Sequence, residues 1–305
     1  MRITNNILSS RAMENLQKAM ENLEGPQRKI TTGKRVSKPS DDPIDVSKLV
    51  GIKATYSKQS QYGKNIASAL DWMTTTSSTL ESVIDILDEV DELIAILGDP
   101  TTSAERQNAS VEVDLLIKDL MSEANRKLMG KYLFGGNETQ TVPFTANYSG
   151  DDISSVSQNP DGIDGTRTVR VSDVDTLTIN VTGDSVFQPN GEGADDDVFK
   201  ILVDLRTALE TNDSLGMQQV QGRLDSAIKR VAAENASTGG SIRRLNDLQL
   251  RLDDEVLLAD EQRSRLEDAD IAKAMFEYNQ AELIYQAALA ATSRVVQISL
   301  VNFLK

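Results

Sequence analysis

The apolar positions of the chain fall into two helical stretches separated by a stretch of a different period. Towards the C-terminus a seven-residue series runs through Leu224, Val231, Thr238, Leu245, Leu252, Ala259 and Leu266, widened by Ile228, Ile242, Leu248 and Val256. A stripe with that repeat belongs to a helix packed lengthwise on other helices, in coiled-coil fashion. The last proline is Pro189 and the last glycine Gly240, so no strong helix breaker follows, and only the polar stretch Ser264 to Asp270 is expected to split the run. The N-terminal half mirrors this, with Leu16, Leu23 and Ile30 seven apart and flanked by Met13 and Met20. Gly25-Pro26 interrupts that series, as a kink or as the end of the first helix. A polar loop, Thr32 to Asp42, leads to Asp42-Pro43, an N-cap followed by proline at the first helical position. The next helix carries Leu70, Met73, Leu80, Ile84, Leu87, Ile94 and Leu97, and Gly98-Asp99-Pro100 ends it. Thr102 to Glu105 has capping-box spacing and opens a further helix with Val111, Leu115, Leu116, Leu120 and Leu128 on its apolar face.

Gly135-Gly136 closes the helical part, and from about 137 to 193 the period becomes two. Leu177, Ile179 and Val181 alternate with Thr178, Asn180 and Thr182, as in a half-buried strand, and Val169 and Val171 repeat the pattern. Asp161-Gly162, Asp164-Gly165 and Gly183-Asp184 supply turn chemistry. Helix resumes after Asp195-Asp196-Asp197 with Val198, Ile201, Leu202 and Leu205. The expected fold is mainly α: an elongated rod of long N- and C-terminal helices packed as a coiled-coil-like bundle, with a small inserted β domain. Its parts are terminal assembly helices at 1–42 and 264–305, a helical rod at 43–136 and 195–263, and a β-rich outer domain at 137–194.

Composition then narrows the function. The net charge of −15 opposes a nucleic-acid partner, which needs clustered Lys and Arg to displace counterions from phosphate, and opposes docking on anionic lipid. No apolar stretch approaches the 18 or more residues of a membrane helix, so membrane insertion is not expected. The start, Met1 to Ser9, lacks the apolar run of a cleaved signal peptide, which reads as cytoplasmic unless export needs no such signal. Cysteine and histidine are absent, removing disulfides, thiolate metal sites, Cys nucleophiles and histidine-based triads. No catalytic residue, cofactor or metal site is assigned. The triplet Asp195 to Asp197, with Glu192 and Asp184, lacks the spacing of a dedicated calcium loop and reads as helix capping. Aromatic residues are 4% of the chain, so an aromatic-rich core is not expected.

The two ends carry the most information. Ile271, Ala274, Tyr278, Ala281, Tyr285, Ala288, Thr292, Val295 and Ser299 form one row, with Met275, Leu289, Val296 and Phe303 in a second. Apolar residues persist to Leu300, Phe303 and Leu304, whereas most chain ends are polar. Such a helix cannot cover its stripe alone. It needs the N-terminal helix, and neighbouring chains too. Assembly residues are therefore placed at Ile3, Ile7, Leu16, Leu23, Ile30, Ile271, Tyr278, Tyr285, Leu289, Val296, Leu300, Phe303 and Leu304. Both ends are expected to be unstructured in the free subunit and to fold on assembly. A plain intramolecular helical hairpin explains the same periodicity.

The motifs at the two ends resemble the flagellin superfamily. Thr32-Gly33-Lys34-Arg35-Val36-Ser37-Lys38-Pro39-Ser40-Asp41-Asp42-Pro43 is similar to that family's Ser-Gly-x-Arg-Ile loop ending in Asp-Asp, with Gly33, Arg35, Pro39, Asp41 and Asp42 as the matching loop residues and Thr32 in place of Ser. Ser264 to Ala272 is similar to its Arg-Ile-Glu-Asp-Ala-Asp segment, Thr238 to Leu245 to the segment preceding it, and Ser299 to Leu304 to its terminal motif. The wording Lys34 to Ser40, and Gly130-Lys131-Tyr132-Leu133-Phe134-Gly135-Gly136-Asn137, resemble the family's junction subunit between hook and filament more than filament flagellin. The resemblance covers about 1–137 and 195–305. It implies an extracellular flagellar structural subunit exported without a cleaved signal peptide through the type III export apparatus. A cytoplasmic export chaperone would hold its C-terminal helix. Its partners would be hook-associated protein 1, flagellin and copies of itself. Filament flagellin is the alternative within the family, and a cytoplasmic coiled-coil adaptor the alternative outside it.

Overall fold

The computed structural model describes the backbone of residues 2–97 and 102–303, and the side chains of 7–97 and 102–295. In order, the elements are α1 (Arg2–Thr32), α2 (Pro43–Leu97), α3 (Ser103–Ala124), β1 (Lys127–Leu128), β2 (Lys131–Tyr132), β3 (Phe144–Ser149), β4 (Asp152–Gln158), β5 (Thr168–Arg170), β6 (Thr176–Thr178), α4 (Gly183–Phe187), α5 (Val198–Glu210), α6 (Ser214–Glu267) and α7 (Ile271–Phe303). The chain divides into two compact units: Met1–Lys58 with Glu255–Lys305, and Gln59–Asp254. The expected stop at Gly98-Asp99-Pro100 lies outside the described residues, as do Ile3, Val296, Leu300, Phe303 and Leu304 as side chains.

In the first unit, α1 and α7 pack along each other. Pro26 neither ends nor divides α1 in the structure. The residue before a proline is disfavoured in a helix partly because its Cβ meets the ring, and Gly25 has none. Packing against α7 then holds a helix whose intrinsic propensity at Gly25-Pro26 is poor. The expected break near 264–270 is present, with α6 ending at Glu267 and α7 starting at Ile271.

The second unit is built on a seam of α2. Ile66, Met73, Leu80, Leu87 and Ile94 are buried at seven-residue intervals, interleaved with Ala69, Thr76, Val83, Val90 and Leu97. This alternation of three and four residues is knobs-into-holes spacing. Of the expected positions, Met73, Leu80, Leu87, Ile94 and Leu97 lie in this seam, whereas Leu70 and Ile84 are only half-buried and Thr76 stands in the seam instead. The Thr76 hydroxyl donates to the Trp72 carbonyl at 2.9 Å, so it enters the core with its polar group satisfied. On α6 the anticipated series is buried at Leu224, Val231, Thr238, Leu245 and Leu252. The capping box of α3 is complete: the Thr102 hydroxyl accepts from the Glu105 amide, and the Glu105 carboxylate accepts from the Thr102 amide at 2.7 Å.

Helix α3 stops earlier than expected. It ends at Ala124, and Leu128 belongs to the β1–β2 hairpin rather than to a helical face. Asn125 enforces the stop, since its side-chain amide donates to the Phe144 carbonyl at 2.9 Å and its Oδ1 accepts from the Phe144 amide at 3.1 Å. Gly135-Gly136 therefore follows a hairpin. Gly136 has φ +53, and a Cβ there would collide with the Gly162 carbonyl oxygen. The strands form three antiparallel pairs, β1–β2, β3–β4 and β5–β6, rather than one sheet. Gly183-Asp184 opens α4 instead of a strand turn, with Thr182 as its N-cap.

The strand region shares one core with the helices. Phe144, Ile153 and Val156 from β3–β4 join Val113, Leu120, Phe199, Leu202 and Leu224 in a continuous cluster. At its centre Phe134, Phe144, Phe187 and Phe199 pack with ring centroids 5.2 to 5.6 Å apart. The low aromatic content misleads here, because four of the six phenylalanines meet in this one place. Asp197 caps α5, accepting from the Phe199 amide at 2.9 Å, while Asp195 pairs with Lys200 at 3.1 Å and Asp196 accepts from Asn190 at 2.6 Å. The acidic triplet is thus engaged with the protein itself. No metal-binding cluster of His, Cys, Asp or Glu occurs among the described residues.

Candidate functional site

Two features of the first unit carry the candidate assembly surface. One is the α1–α7 pair. The less exposed positions of α1, Ala12, Leu16, Ala19, Leu23, Pro26 and Ile30, recur every three or four residues, as do Ala274, Tyr278, Ala281, Tyr285, Ala288 and Thr292 on α7. The buried positions of the pair include small residues, Ala19 on α1 and Ala274 and Ala281 on α7. Polar ties fix an antiparallel register: the Thr292 hydroxyl donates to the Ala12 carbonyl at 3.3 Å, and Lys29 pairs with Glu277 at 3.0 Å.

This pairing consumes only one face of each helix. Leu16, Leu23, Ile30, Tyr278 and Tyr285 lie half-buried on the inner stripe. Ile7, Ile271 and Leu289 are exposed. Also exposed are Leu8, Met13 and Met20 on α1, and Met275, Phe276, Leu283 and Ile284 on α7. Phe276 keeps 72% of its surface in solvent and Leu283 68%. Phe276 and Leu283 were missed by the row-by-row reading of α7, whose second row passed through Met275 and Leu289 instead. Their seven-residue spacing was the available signal.

The second feature joins the two sequence motifs. Loop 33–42 and the segment between α6 and α7 form a short antiparallel bridge, with the Arg35 amide donating to the Glu267 carbonyl at 2.7 Å and the Ala269 amide to the Gly33 carbonyl at 2.8 Å. Gly33 allows it by adopting φ +69. Arg35 then ties three elements, donating to the Leu266 carbonyl at 2.8 Å and pairing with Asp45 at 2.5 Å and Asp42 at 3.5 Å. Asp42 also caps α2, accepting from the Asp45 amide at 3.0 Å. Asp41 accepts from the Ser37 and Lys38 amides, both at 2.9 Å, and pairs with Arg28 at 3.0 Å. Asp270 caps α7 through the Lys273 amide at 3.0 Å. Pro39 sits exposed in the loop between these contacts.

Beneath the bridge the Glu267 carboxylate is 3% exposed and receives Lys34 at 2.6 Å and Lys53 at 2.9 Å. Burial pushes its pKa up, but the hydrogen bonds and charges of the two lysines outweigh that and hold it below the ordinary glutamate value. Backbone donors from Ser37 and Lys38 lower Asp41, and the Arg35 hydrogen bond lowers Asp45. All three carboxyls are therefore charged at neutral pH. The loop is a charged clasp, and the two separated motifs are its halves.

The family comparisons divide the chain the same way. The model of the bacterial flagellin N-terminal helical region matches residues 3–139, and that of the C-terminal helical region matches residues 222–304. The chain belongs to the bacterial flagellin family. Among curated relatives it is similar to flagellar hook-associated protein 3 of Salmonella typhimurium, with 27% identity over 96% of this chain and 95% of that protein. It is also similar to the flagellin of Listeria monocytogenes, with 23% identity over 97% of this chain and 96% of that one. Among solved structures, hook-associated protein 3 of Legionella pneumophila shares its fold, with a TM-score of 0.61 at 14% identity over 70% of this chain and 98% of that one. The family consists of structural components of the flagellum. Among the described residues no helix is long and apolar enough to cross a membrane.

Proposed function

We propose that this chain is the structural subunit that joins hook to filament in a bacterial flagellum. One observation carries the reading: similarity over 96% of this chain and 95% of hook-associated protein 3 of Salmonella typhimurium. The segments Lys34 to Ser40 and Gly130 to Asn137 support it over filament flagellin. Physically, the exposed apolar faces of α1 and α7 provide a way to add subunits without chemistry. Head-to-tail contacts that do not close on themselves generate helical arrays, the geometry of a tube. In this reading residues 1–42 and 264–305 are the inner-tube part, 43–136 and 195–263 the helical part outside it, and 137–194 the outer part.

The same reading places the chain outside the cell. It leaves through the type III export apparatus without a cleaved signal, its C-terminal helix held beforehand by a cytoplasmic chaperone that covers the apolar face of α7. Its neighbours are hook-associated protein 1 on the hook side, flagellin on the filament side and copies of itself. A deletion strain tests this. It is expected to retain hooks, shed flagellin monomer into the medium and recover filaments when this chain is restored. Loss of hooks, or normal filaments without the chain, contradicts the reading. The whole-length similarity to Listeria flagellin keeps a filament role as the second reading. Long filaments formed by the purified chain alone would favour it.

A further inference from the structure

Two runs of poor helix formers lie within the long helices of the second unit, and they meet at one level. On α6 the run is Ser237-Thr238-Gly239-Gly240-Ser241, and on α2 it is Thr74-Thr75-Thr76-Ser77-Ser78-Thr79. The Ser77 hydroxyl donates to Asn235 Oδ1 at 2.6 Å, and a Cβ on Gly63 would stand 3.6 Å from the Leu252 side chain. The two helices are thus antiparallel here, and Thr238 with the two glycines lies alongside the threonine run. Nothing local requires those glycines. Neither has a positive φ, and a Cβ on either would meet only Arg243, at 3.8 and 3.9 Å. What they bring to the helix is backbone freedom alone.

The seam changes character at the same level. Thr76, Thr79 and Thr238 are fully buried, between aliphatic layers that hold Leu80 and Val231 on one side and Ile66 and Leu245 on the other. Each hydroxyl turns back on its own helix, donating to the Trp72, Thr75 and Glu234 carbonyls at 2.8 to 2.9 Å. Such bonds satisfy the buried group, but they compete with the helical ladder and favour bending. The continuous apolar core also ends here. Among the described residues, and apart from Trp72, it takes in no α2 residue before Leu80 and no α6 residue after Val231, although Ile66, Met73, Leu245 and Leu252 are buried further along.

We propose that this level is a flexion point of the α2–α6 pair, where both helices bend together and open their backbone bonds more readily than in the layers on either side. Weak propensity, glycines that packing does not use, hydroxyl back-bonds and the end of the apolar core coincide there. Its use rests on the reading that copies of the chain form a tube. When a tube bends, subunits on the outside of the curve are stretched and those on the inside compressed, so each subunit must deform. A level at which both long helices yield confines that deformation and spares the seams beside it.

Hydrogen exchange of the free full-length chain reads the level directly. Amides of 75–79 and 238–242 should exchange about tenfold faster, or more, than those of 83–90 and 224–231. G239A/G240A adds side chains where there is room for them, so the variant should fold. It should slow both segments by about tenfold, the gain expected from two helical glycines replaced by alanine. Nitroxide labels on D225C/D247C, two exposed positions in a chain with no cysteine of its own, span the level on α6. Their distance distribution, centred near about 33 Å by the helical rise, should narrow in G239A/G240A. Uniform protection through both helices, or an unchanged distribution, overturns the flexion point. Slowing confined to 238–242 overturns the coupling of the two helices. In the deletion strain, restoring the chain as G239A/G240A should give filaments in normal number that shear off at lower force than those restored with wild type. Equal shear resistance overturns the use in the tube, and the flexion point still stands on the exchange data. Absence of filaments with wild type restored overturns the proposed function instead.

Discussion

Single residues set the clasp and the turns, and they do so through groups with no substitute. Gly136 combines φ +53 with a carbonyl where a side chain would begin. G136A should cost more than about 2 kcal/mol, the left-handed strain of an L-residue plus a backbone collision. G150A, at φ +70 with open space around it, should cost only the strain, about 1 kcal/mol. Urea midpoints compare the two, and equal losses would show that the crowding at Gly136 is relieved cheaply. Glu267 makes the acid-sensitive contact. Its folded pKa lies below the unfolded value, so its pairing with Lys34 and Lys53 is fully present above about pH 4.3 and is lost as pH falls through the lowered folded value. E267Q should reduce stability by about 1 to 3 kcal/mol at pH 7 and flatten the fall of the melting temperature below about pH 4. Melts followed by circular dichroism from pH 7 to 3 check this, and parallel curves for both proteins would contradict it.

At the scale of elements, the seams are where sequence and structure agree best. The α6 heptads were legible because leucine and valine dominate them, with Thr238 bracketed by Val231 and Leu245. The α2 seam was legible at Met73, Leu80, Leu87, Ile94 and Leu97, but Thr76, fully buried, was missed because it carries no hydrophobic signal until its hydroxyl is seen to bond back to the helix. Pro26 does not end α1, since a local breaker is overruled where packing on α7 supplies what propensity lacks. The end of α3 was invisible because it depends on Asn125 meeting Phe144, a contact between residues 19 apart in a loop of no regular period. Both halves of the clasp were visible as motifs, but their meeting was not, since nothing local in Arg35 points to Leu266. L80A or L87A on the α2 seam should cost about 2 to 5 kcal/mol, the ordinary loss for emptying a buried leucine site. T76V should stay within about 1 kcal/mol, because the Trp72 carbonyl keeps its helical bond. Denaturant titrations decide both, and a neutral L80A would mean that the seam is not close-packed.

For the whole molecule, the decisive asymmetry is between helix faces that the chain covers and faces that it leaves bare. The inner stripes of α1 and α7 satisfy each other, while Met13, Met20, Phe276 and Leu283 remain in solvent. Apolar surface of this kind marks an interaction site in a folded protein. Backbone amides at 2–30 and 272–303 should therefore exchange rapidly in the free chain and become protected in the assembled structure, as expected of ends that order on burial. Strong protection in dilute monomer would show instead a self-sufficient helical hairpin. The most direct test of assembly through these faces uses F276D/L283D, which alters only exposed positions and leaves the α1–α7 seam intact. Purified wild-type chain added to hooks bearing hook-associated protein 1, followed by flagellin, should yield filaments countable by electron microscopy, and the double variant, with an unchanged melting temperature, should yield almost none. Equal filament counts for the two proteins would contradict the account.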